Sequence, residues 1–436
     1  MEDWRVTIEM SFPARAPYRT AGMLLLLLAA LLLVSCSAPA PEPTQPPQPT
    51  EAPETGQTIT LITPDAGNLD AAESAKYQIQ TRLTDFKLLG PSDGIAWGVT
   101  RNTLRIYMTR DNGLTWANIS PSQGIQFAAS LQYGKNIYFT DPQNGWIVRS
   151  SFGMMESVIL NTSDGGASWK VSALPDNNKP ASFYFVTPAS GWLLNTWDSS
   201  RYRESKALYT TEDGGASWRI VMHNEHYTPG TPNPAIPMNG VLAGQHFRNS
   251  NSGLAVLQTA GIPSVYLTED GGVTWEQSAL LEAAGLPERC SVITAGNPVF
   301  FNAAEGWFPA GCVNEKEGTV SHYGYFTENY GKEWTLVPFA LDVQSGVNRG
   351  QAPFFIDYRT GWIIMDGFVY RTLDQGKTWR QLPESGVLQS QLEDFPEMVK
   401  LQFITREVGW LLIEKKEDRR SILLQTTNGG VNLRVM

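Results

Sequence analysis

Residues 162–169, TSDGGASW, decide the fold. Asp164 followed by two glycines reads as a tight turn, because the carboxylate can accept hydrogen bonds from nearby backbone N–H groups and glycine takes positive φ at little cost. A turn alone does not explain why so polar a segment closes on Trp169. The phrase recurs as TRDNGLTW (109–116), TEDGGASW (211–218), TEDGGVTW (268–275), TENYGKEW (327–334) and TLDQGKTW (372–379). A worn copy, TTNGGVNL (426–433), has Asn428 for the acid and Leu433 for the tryptophan. The phrase is a repeated module part, which makes this a repeat architecture.

A second element precedes each copy: an apolar stretch, a turn, then glycine and usually tryptophan, as in IYFTDPQNGWIV (137–148) and FYFVTPASGWLL (183–194). The apolar residue and the glycine are always six apart, from Leu88 to Gly94, Phe139 to Gly145, Phe185 to Gly191, Phe247 to Gly253, Phe300 to Gly306, Phe355 to Gly361 and Phe403 to Gly409. Each unit reads as four short strands over roughly fifty residues, the signature of a propeller blade. The expected fold is all-β: a seven-bladed propeller of four-stranded antiparallel blades over residues 57–436, with the aspartate turns on one face.

Two connections per blade are constant and two vary. Glycine to the next Thr takes eleven residues from Gly361 to Thr372 and twenty-one from Gly306 to Thr327; phrase to next blade takes sixteen from Trp169 to Phe185 and twenty-nine from Trp218 to Phe247. In an antiparallel blade the two constant turns share a face and the two variable connections share the other. Constant turns are scaffold, and variable loops carry recognition. Asp111, Asp164, Asp213, Asp270 and Asp374, with Trp116, Trp169, Trp218, Trp275, Trp334 and Trp379, are therefore read as framework, the tryptophans being buried at the seams between blades. No catalytic residue is assigned. The worn last copy lies three residues from Met436, and QTITLI (57–62) is expected to complete the seventh blade as an added strand.

Composition supports a β-rich array: 17% of residues are charged, and there are 14 tryptophans and 39 glycines. Arg5, Arg15 and Arg19 precede an apolar run, Met23–Val34, too short to span a bilayer comfortably but suited to a signal peptide. It ends in Leu33-Val34-Ser35-Cys36, which resembles the lipobox of bacterial lipoproteins; that resemblance implies residues 1–35 as a signal and Cys36 as the lipidated N-terminus of a protein held outside the cytoplasm at a bacterial membrane. An uncleaved helical anchor is the alternative. Residues 36–56, rich in Pro, Glu and Thr, read as a tether reaching up to ~60 Å. The net charge of −10 and the lack of a basic run argue against nucleic acid. Cys290 and Cys312 form an even pair in an oxidising compartment, read as a disulfide with two free thiols as the alternative.

The phrase [ST]-x-D-x-G-x-[ST]-W resembles the Asp-box, or BNR repeat, of sialidase-like propellers. With the Gly-Trp strands and the lipobox-like Cys36, the chain most resembles the photosystem II stability/assembly factor-like proteins, over roughly residues 57–436. That resemblance implies a binding scaffold for a protein partner.

Candidate sites lie in the variable loops. NTWDSSRYRESKA (195–207) offers Trp197, Arg201, Tyr202 and Arg203, aromatic and guanidinium groups of the kind that dominate interfaces. The long link 221–245, with four prolines, is expected to form a lid on the same face. The alternative is a glycan-binding or glycan-cleaving propeller. Glycosidase chemistry needs two facing acids about 5–10 Å apart, and Glu204, Glu225, Asp342 and Glu384 are the loop acids available. The Phe/Tyr-Arg-Ile-Pro motif of sialidases is absent, and His246-Phe247-Arg248-Asn249 matches it poorly. His223 and His226 lack companion ligands, so no metal and no cofactor is assigned. The expected partner is a protein or a glycan at the loop-bearing face, with the membrane reached through the lipid.

Overall fold

The computed structural model describes Thr58–Ile59 and residues 81–436 except 122–124, 128–130, 152–155, 226–234, 283–285 and 287–289. The chain divides into two compact units, Met1–Ala52 and Pro53–Met436, and all described residues belong to the second. The expected signal, Cys36 and the tether lie outside the described residues. Among the described residues no helix is long and apolar enough to cross a membrane.

The second unit is a seven-bladed β-propeller. The blades begin with the strands Asp85–Leu88, Ile137–Phe139, Lys179–Phe185, Val241–Phe247, Val292–Ala295 with Val299–Phe300, Phe354–Phe355 and Glu397–Phe403. In each, strands pair antiparallel in sequence order. The fifth blade splits its first strand at Gly296–Pro298, where proline has no N–H for the ladder. Among the described residues one α-helix, Gly386–Asp394, lies in the link between blades 6 and 7, and the side chain of its N-cap, Ser385, accepts from the backbone N–H of Leu388.

The six-residue spacing has a steric cause. Each first-strand residue is the direct cross-strand partner of its glycine, as Phe139 is of Gly145 and Phe403 of Gly409. In six blades the partner is phenylalanine, and its ring lies flat over the glycine; a Cβ at Gly145 would stand 2.2 Å from Phe139, and one at Gly253 would stand 2.4 Å from Phe247. Glycine is required there because the ring occupies the space a side chain would need.

The aspartate phrase folds identically in every blade. Its Thr hydroxyl donates to the acid and accepts from the N–H of the fifth residue, as Thr162 does with Asp164 and Gly166. The acid accepts from the seventh residue, as Asp164 does from the N–H and hydroxyl of Ser168. These bonds hold Asp164 and Asp213 down to about 2, led by the Ser168 and Ser217 hydroxyls respectively. Asn329 and Asn428 fill the same place with an amide. The N–H of the fourth residue then crosses to the other constant turn: Asn112 donates to Ser92 O, Gly165 to Gln143 O, Gly214 to Ala189 O, Gly271 to Asn251 O, Tyr330 to Ala304 O, Gln375 to Arg359 O and Gly429 to Glu407 O, at 2.7–3.1 Å. Seven repeats of this bond place both constant turns on one face.

Two expectations are corrected. The 57–62 strand does not join blade 7: Thr58–Ile59 pairs with Trp116–Asn118 on the outer edge of blade 1. Blade 7 completes itself with Arg434–Val435, so the worn phrase still turns the chain into a fourth strand. The ring instead closes through side chains. The Gln402 amide in blade 7 accepts from Leu88 N and donates to Leu88 O in blade 1, copying a ladder step across the seam. Phe86, Trp116, Trp410, Leu412 and Met436 pack one core across the same seam.

The phrase tryptophans also differ from the expectation. Trp116, Trp275 and Trp334 are buried, but Trp169, Trp218 and Trp379 are only half-buried. They follow a turn at the rim of the sheet, where one face of the ring meets water. The Gly-Trp strands bury their indoles more uniformly, Trp146, Trp192, Trp362 and Trp410 being fully buried along with Trp97 and the phrase residue Trp116.

Candidate functional site

The loop-bearing face is built by the hairpins between second and third strands and by the links between blades. Its longest hairpins belong to blade 3, Gly191–Ser200 with Arg203–Thr211, and blade 5, Gly306–Asn314 with Thr319–Thr327. Blade 4 between them has a short one, Gly253–Gln258 with Ser264–Thr268. The two long hairpins meet above it, where Arg201 is ion-paired with Glu315 at 3.0 Å.

The structure gathers Trp197, Arg201, Tyr202 and Arg203 at one hairpin tip. Trp197 Nε1 donates to Glu225 Oε1 at 2.5 Å. The Arg201 guanidinium lies 5.3 Å over the Tyr202 ring, and Arg203 is 3.7 Å from Asp198. Arg201, Arg203 and Asp198 are exposed. At 66% and 59% side-chain exposure, the Arg201–Glu315 pair contributes little to stability and can exchange partners.

Beneath the tip the hairpin is rigid. Lys206 is fully buried, and its ammonium donates to Gly240 O at 2.6 Å, Glu204 O at 3.2 Å and Pro237 O at 3.2 Å, with Glu204 Oε1 at 3.6 Å. Burial pulls Lys206 down to about 8, against the opposite pull of Glu204. Glu204 accepts from Leu242 N, and Asn224 bonds Lys206 N and Ile236 O. This network bolts the described part of the 221–245 link to blade 3; Ile236 plugs the core beside Trp192 and Phe247. Sequence reading placed Glu204 among the loop acids but missed its role as Lys206's counter-charge, because a lysine two residues from a glutamate on a hairpin carries no mark of burial.

The four loop acids have different surroundings. Glu204 is buried with Lys206, Glu225 accepts from Trp197, and Asp342 and Glu384 are exposed on links after blades 5 and 6. Among the described residues no cluster of three His, Cys, Asp or Glu is arranged to hold a metal. His223 ends the fourth strand of blade 3, Arg219–His223, and His226 lies outside the described residues. Cys290 and Cys312 are bonded, with Cα atoms 5.2 Å apart, tying the link after blade 4 to the second strand of blade 5. Among the apolar side chains that stand out from the links on this face, the most exposed are Leu280 at 83%, Val347 at 71% and Val343 at 57%.

No family model and no curated protein matches the sequence. Among solved structures the chain is similar to YCF48 bound to a D1 peptide, at 17% identity over 86% of this chain and 95% of that one, with a TM-score of 0.49. It is also similar to YCF48 from Cyanidioschyzon merolae, at 17% identity over 80% and 97%, with a TM-score of 0.45. A puromycin-hydrolysing peptidase of Mycobacterium tuberculosis aligns at 9% identity over 82% of this chain and 52% of that one, with a TM-score of 0.52. The chain thus spans about half of the peptidase, and the likeness is one of propeller fold.

Proposed function

We propose that the chain is a lipid-anchored scaffold held outside the cytoplasm, with residues 1–35 as signal, Cys36 as the acylated residue and 36–56 as tether, that captures a protein partner on its loop-bearing face. The observation that carries this is the division of the ring. One face repeats a single bonded turn seven times, while the other carries two long hairpins that meet above blade 4 through an exposed, exchangeable ion pair. Exposed Leu280, Val343 and Val347 on that same face supply the apolar contact that a protein partner buries. Tyr202 and Arg201 add the amphipathic and guanidinium groups on which interface affinity concentrates.

The test is site-directed photocrosslinking in cells, with the crosslinker at Tyr202 on the loop-bearing face or at Lys332 on the constant face. The expected result is one polypeptide adduct from position 202, absent from 332 and lost on Arg201→Glu with Arg203→Glu. Equal adducts from both positions, or none from 202, would sink the reading. Saturable binding of a polysaccharide through the same loops would replace it with glycan recognition. Loss of membrane association on Cys36→Ser tests the anchor separately.

A further inference from the structure

The first strands touch one another between blades 2 and 3, 3 and 4, 6 and 7, and 7 and 1, which makes the first strands the innermost and sets them at the border of the central channel. At the position before each strand-ending apolar residue stand Lys87, Tyr138, Tyr184, His246, Val299, Phe354 and Gln402, one per blade. Across blades 2 to 5 the rings follow one another: Tyr133 to Tyr138 at 5.3 Å, Tyr138 to Tyr184 at 5.3 Å, Tyr184 to His246 at 5.3 Å and His246 to Phe300 at 4.5 Å. This wall is aromatic. At blades 1 and 7 the channel is cationic.

The cations are unevenly matched. Lys400 donates to Asp85 Oδ1 at 2.8 Å and to Phe86 O at 2.7 Å. Asp85 also accepts from Phe86 N and Tyr133 N. Lys87 has its ammonium 4.9 Å from the Tyr133 ring centroid, and among the described residues it has neither a hydrogen-bond acceptor nor an ion-pair partner. Lys400 holds the one carboxylate, Asp85, and the half-buried Lys87 beside it is left with the tyrosine face. An ammonium so held needs a counter-charge, because the face of a tyrosine offsets only part of its lost hydration. Lys87, Tyr133, Tyr138, Tyr184 and His246 are each half-buried, so a solute can reach them.

We propose that this channel binds a small organic carboxylate, its oxygens at the Lys87 ammonium and its unsaturated body against the tyrosine rings. The titrating groups around it agree. Burial, then repulsion by Lys400, brings Lys87 down to about 8, with Asp85 opposing. Burial holds His246 at about 4 and Tyr184 at about 12, so both are neutral at pH 7. Arg248 lies over Tyr330, 4.3 Å from its ring, beyond His246. A bound carboxylate needs Lys87 protonated, so affinity holds below pH 8 and falls above it. The site does not depend on partner capture by the loop face, and failure of either reading leaves the other standing.

Calorimetric titration of the purified protein with sodium benzoate, sodium acetate and inorganic phosphate tests this. Benzoate is expected to saturate with a Kd on the order of 1 mM or below, tighter than acetate. Affinity should fall at least about tenfold from pH 7 to pH 9.5 and in Lys87→Met, and stay within about threefold in Lys87→Arg. If Lys87→Met does not fold, benzoate should slow acylation of Lys87 in the unmodified chain, read by peptide mass spectrometry. The proposal is overturned if none of the three anions binds, if phosphate binds and benzoate does not, if Lys87→Met binds benzoate as the parent does, or if acylation of Lys87 is unaffected.

Discussion

Trp146 of blade 2 lies parallel to Phe185 of blade 3, with centroids 3.8 Å and planes 10° apart, and its indole N–H donates to Gly214 O in the aspartate turn of blade 3. The same pair of contacts joins Trp192 to Phe247 and Gly271 O, and Trp362 to Phe403 and Gly429 O. At the closing seam Trp410 sits beneath Gly94 and donates to Asn112 Oδ1. Trp146, Trp192 and Trp362 are therefore rivets to the next blade, with the turn carbonyl as their fixed point; Trp307 of blade 5 instead packs tilted on Phe355, at 4.7 Å and 59°, its indole N–H without a hydrogen-bond partner among the described residues. Blades 1 and 4 have Ile95 and Leu254 in that place, so their seams lack the indole bond and are tied by others, Trp169 to Ile119 O between blades 1 and 2 and Ser278 to Gly331 O between blades 4 and 5.

Trp146→Ala should lower stability by about 3–5 kcal/mol, the usual cost of emptying a fully buried aromatic site, with the Gly214 bond lost as well. Trp169→Ala should cost less, about 1–3 kcal/mol, because that ring is half-buried and donates only to Ile119 O. Denaturant unfolding of the two variants checks the order. Equal losses would make the phrase tryptophan the principal staple.

The difference shows what a sequence can disclose. Phe139 and Gly145 are partners within one hairpin, so their contact leaves a fixed spacing. The Thr162–Asp164–Ser168 bonds are likewise local, and the carboxylate's place as acceptor of a turn N–H was legible, while the parts played by the Thr162 and Ser168 hydroxyls were not. Trp146 and Gly214 are 68 residues apart, and variable links between them erase any register. Ring closure was misread for a related reason. A two-residue strand pairs through backbone groups that every residue carries, so the composition of 57–62 could not say which open edge it would join. At the loop face the hairpin Trp197–Arg203 was legible as a candidate, but the Arg201–Glu315 contact, spanning a whole blade, was not.

Gln402→Ala should cost about 1–3 kcal/mol and act on the closing seam alone, since it leaves Leu88 N–H and C=O buried without partners. Hydrogen exchange should show faster opening of the first strands of blades 1 and 7, with blades 3 and 4 unchanged. A chain lacking residues 1–62 should keep its melting temperature within a few degrees, because Thr58–Ile59 covers an outer edge and closes nothing. A large loss on truncation would mean that closure depends on that edge strand.

Acid should loosen the constant face before the core. Asp164 and Asp213 stand at about 2 in the folded chain against 3.8 in the unfolded one. A depressed carboxylate contributes stability that is complete above pH 4 and disappears as pH falls toward 2. Asp164→Asn and Asp213→Asn together should flatten that part of the stability curve without abolishing the fold, since Asn329 and Asn428 already close the same turn. An unchanged acid profile in the double variant would assign the loss to other groups.

Lys206→Ala should be the most damaging single change on the loop side. The ammonium is fully buried and satisfies three carbonyls, and its removal leaves them bare beside the uncompensated charge of Glu204. Breaking one partner of such a pair costs about 3–5 kcal/mol. Because those carbonyls include Pro237 and Gly240, the link after blade 3 should detach and become open to proteases, while the aspartate turns keep their protection. Adding Glu204→Gln should recover part of the loss by removing the stranded charge, at the cost of a weaker acceptor for Leu242 N. Limited proteolysis and denaturant unfolding of the single and double variants decide this: a loss below about 1 kcal/mol for Lys206→Ala, or no recovery in the double variant, would show that the link is held by Ile236 and its apolar neighbours instead.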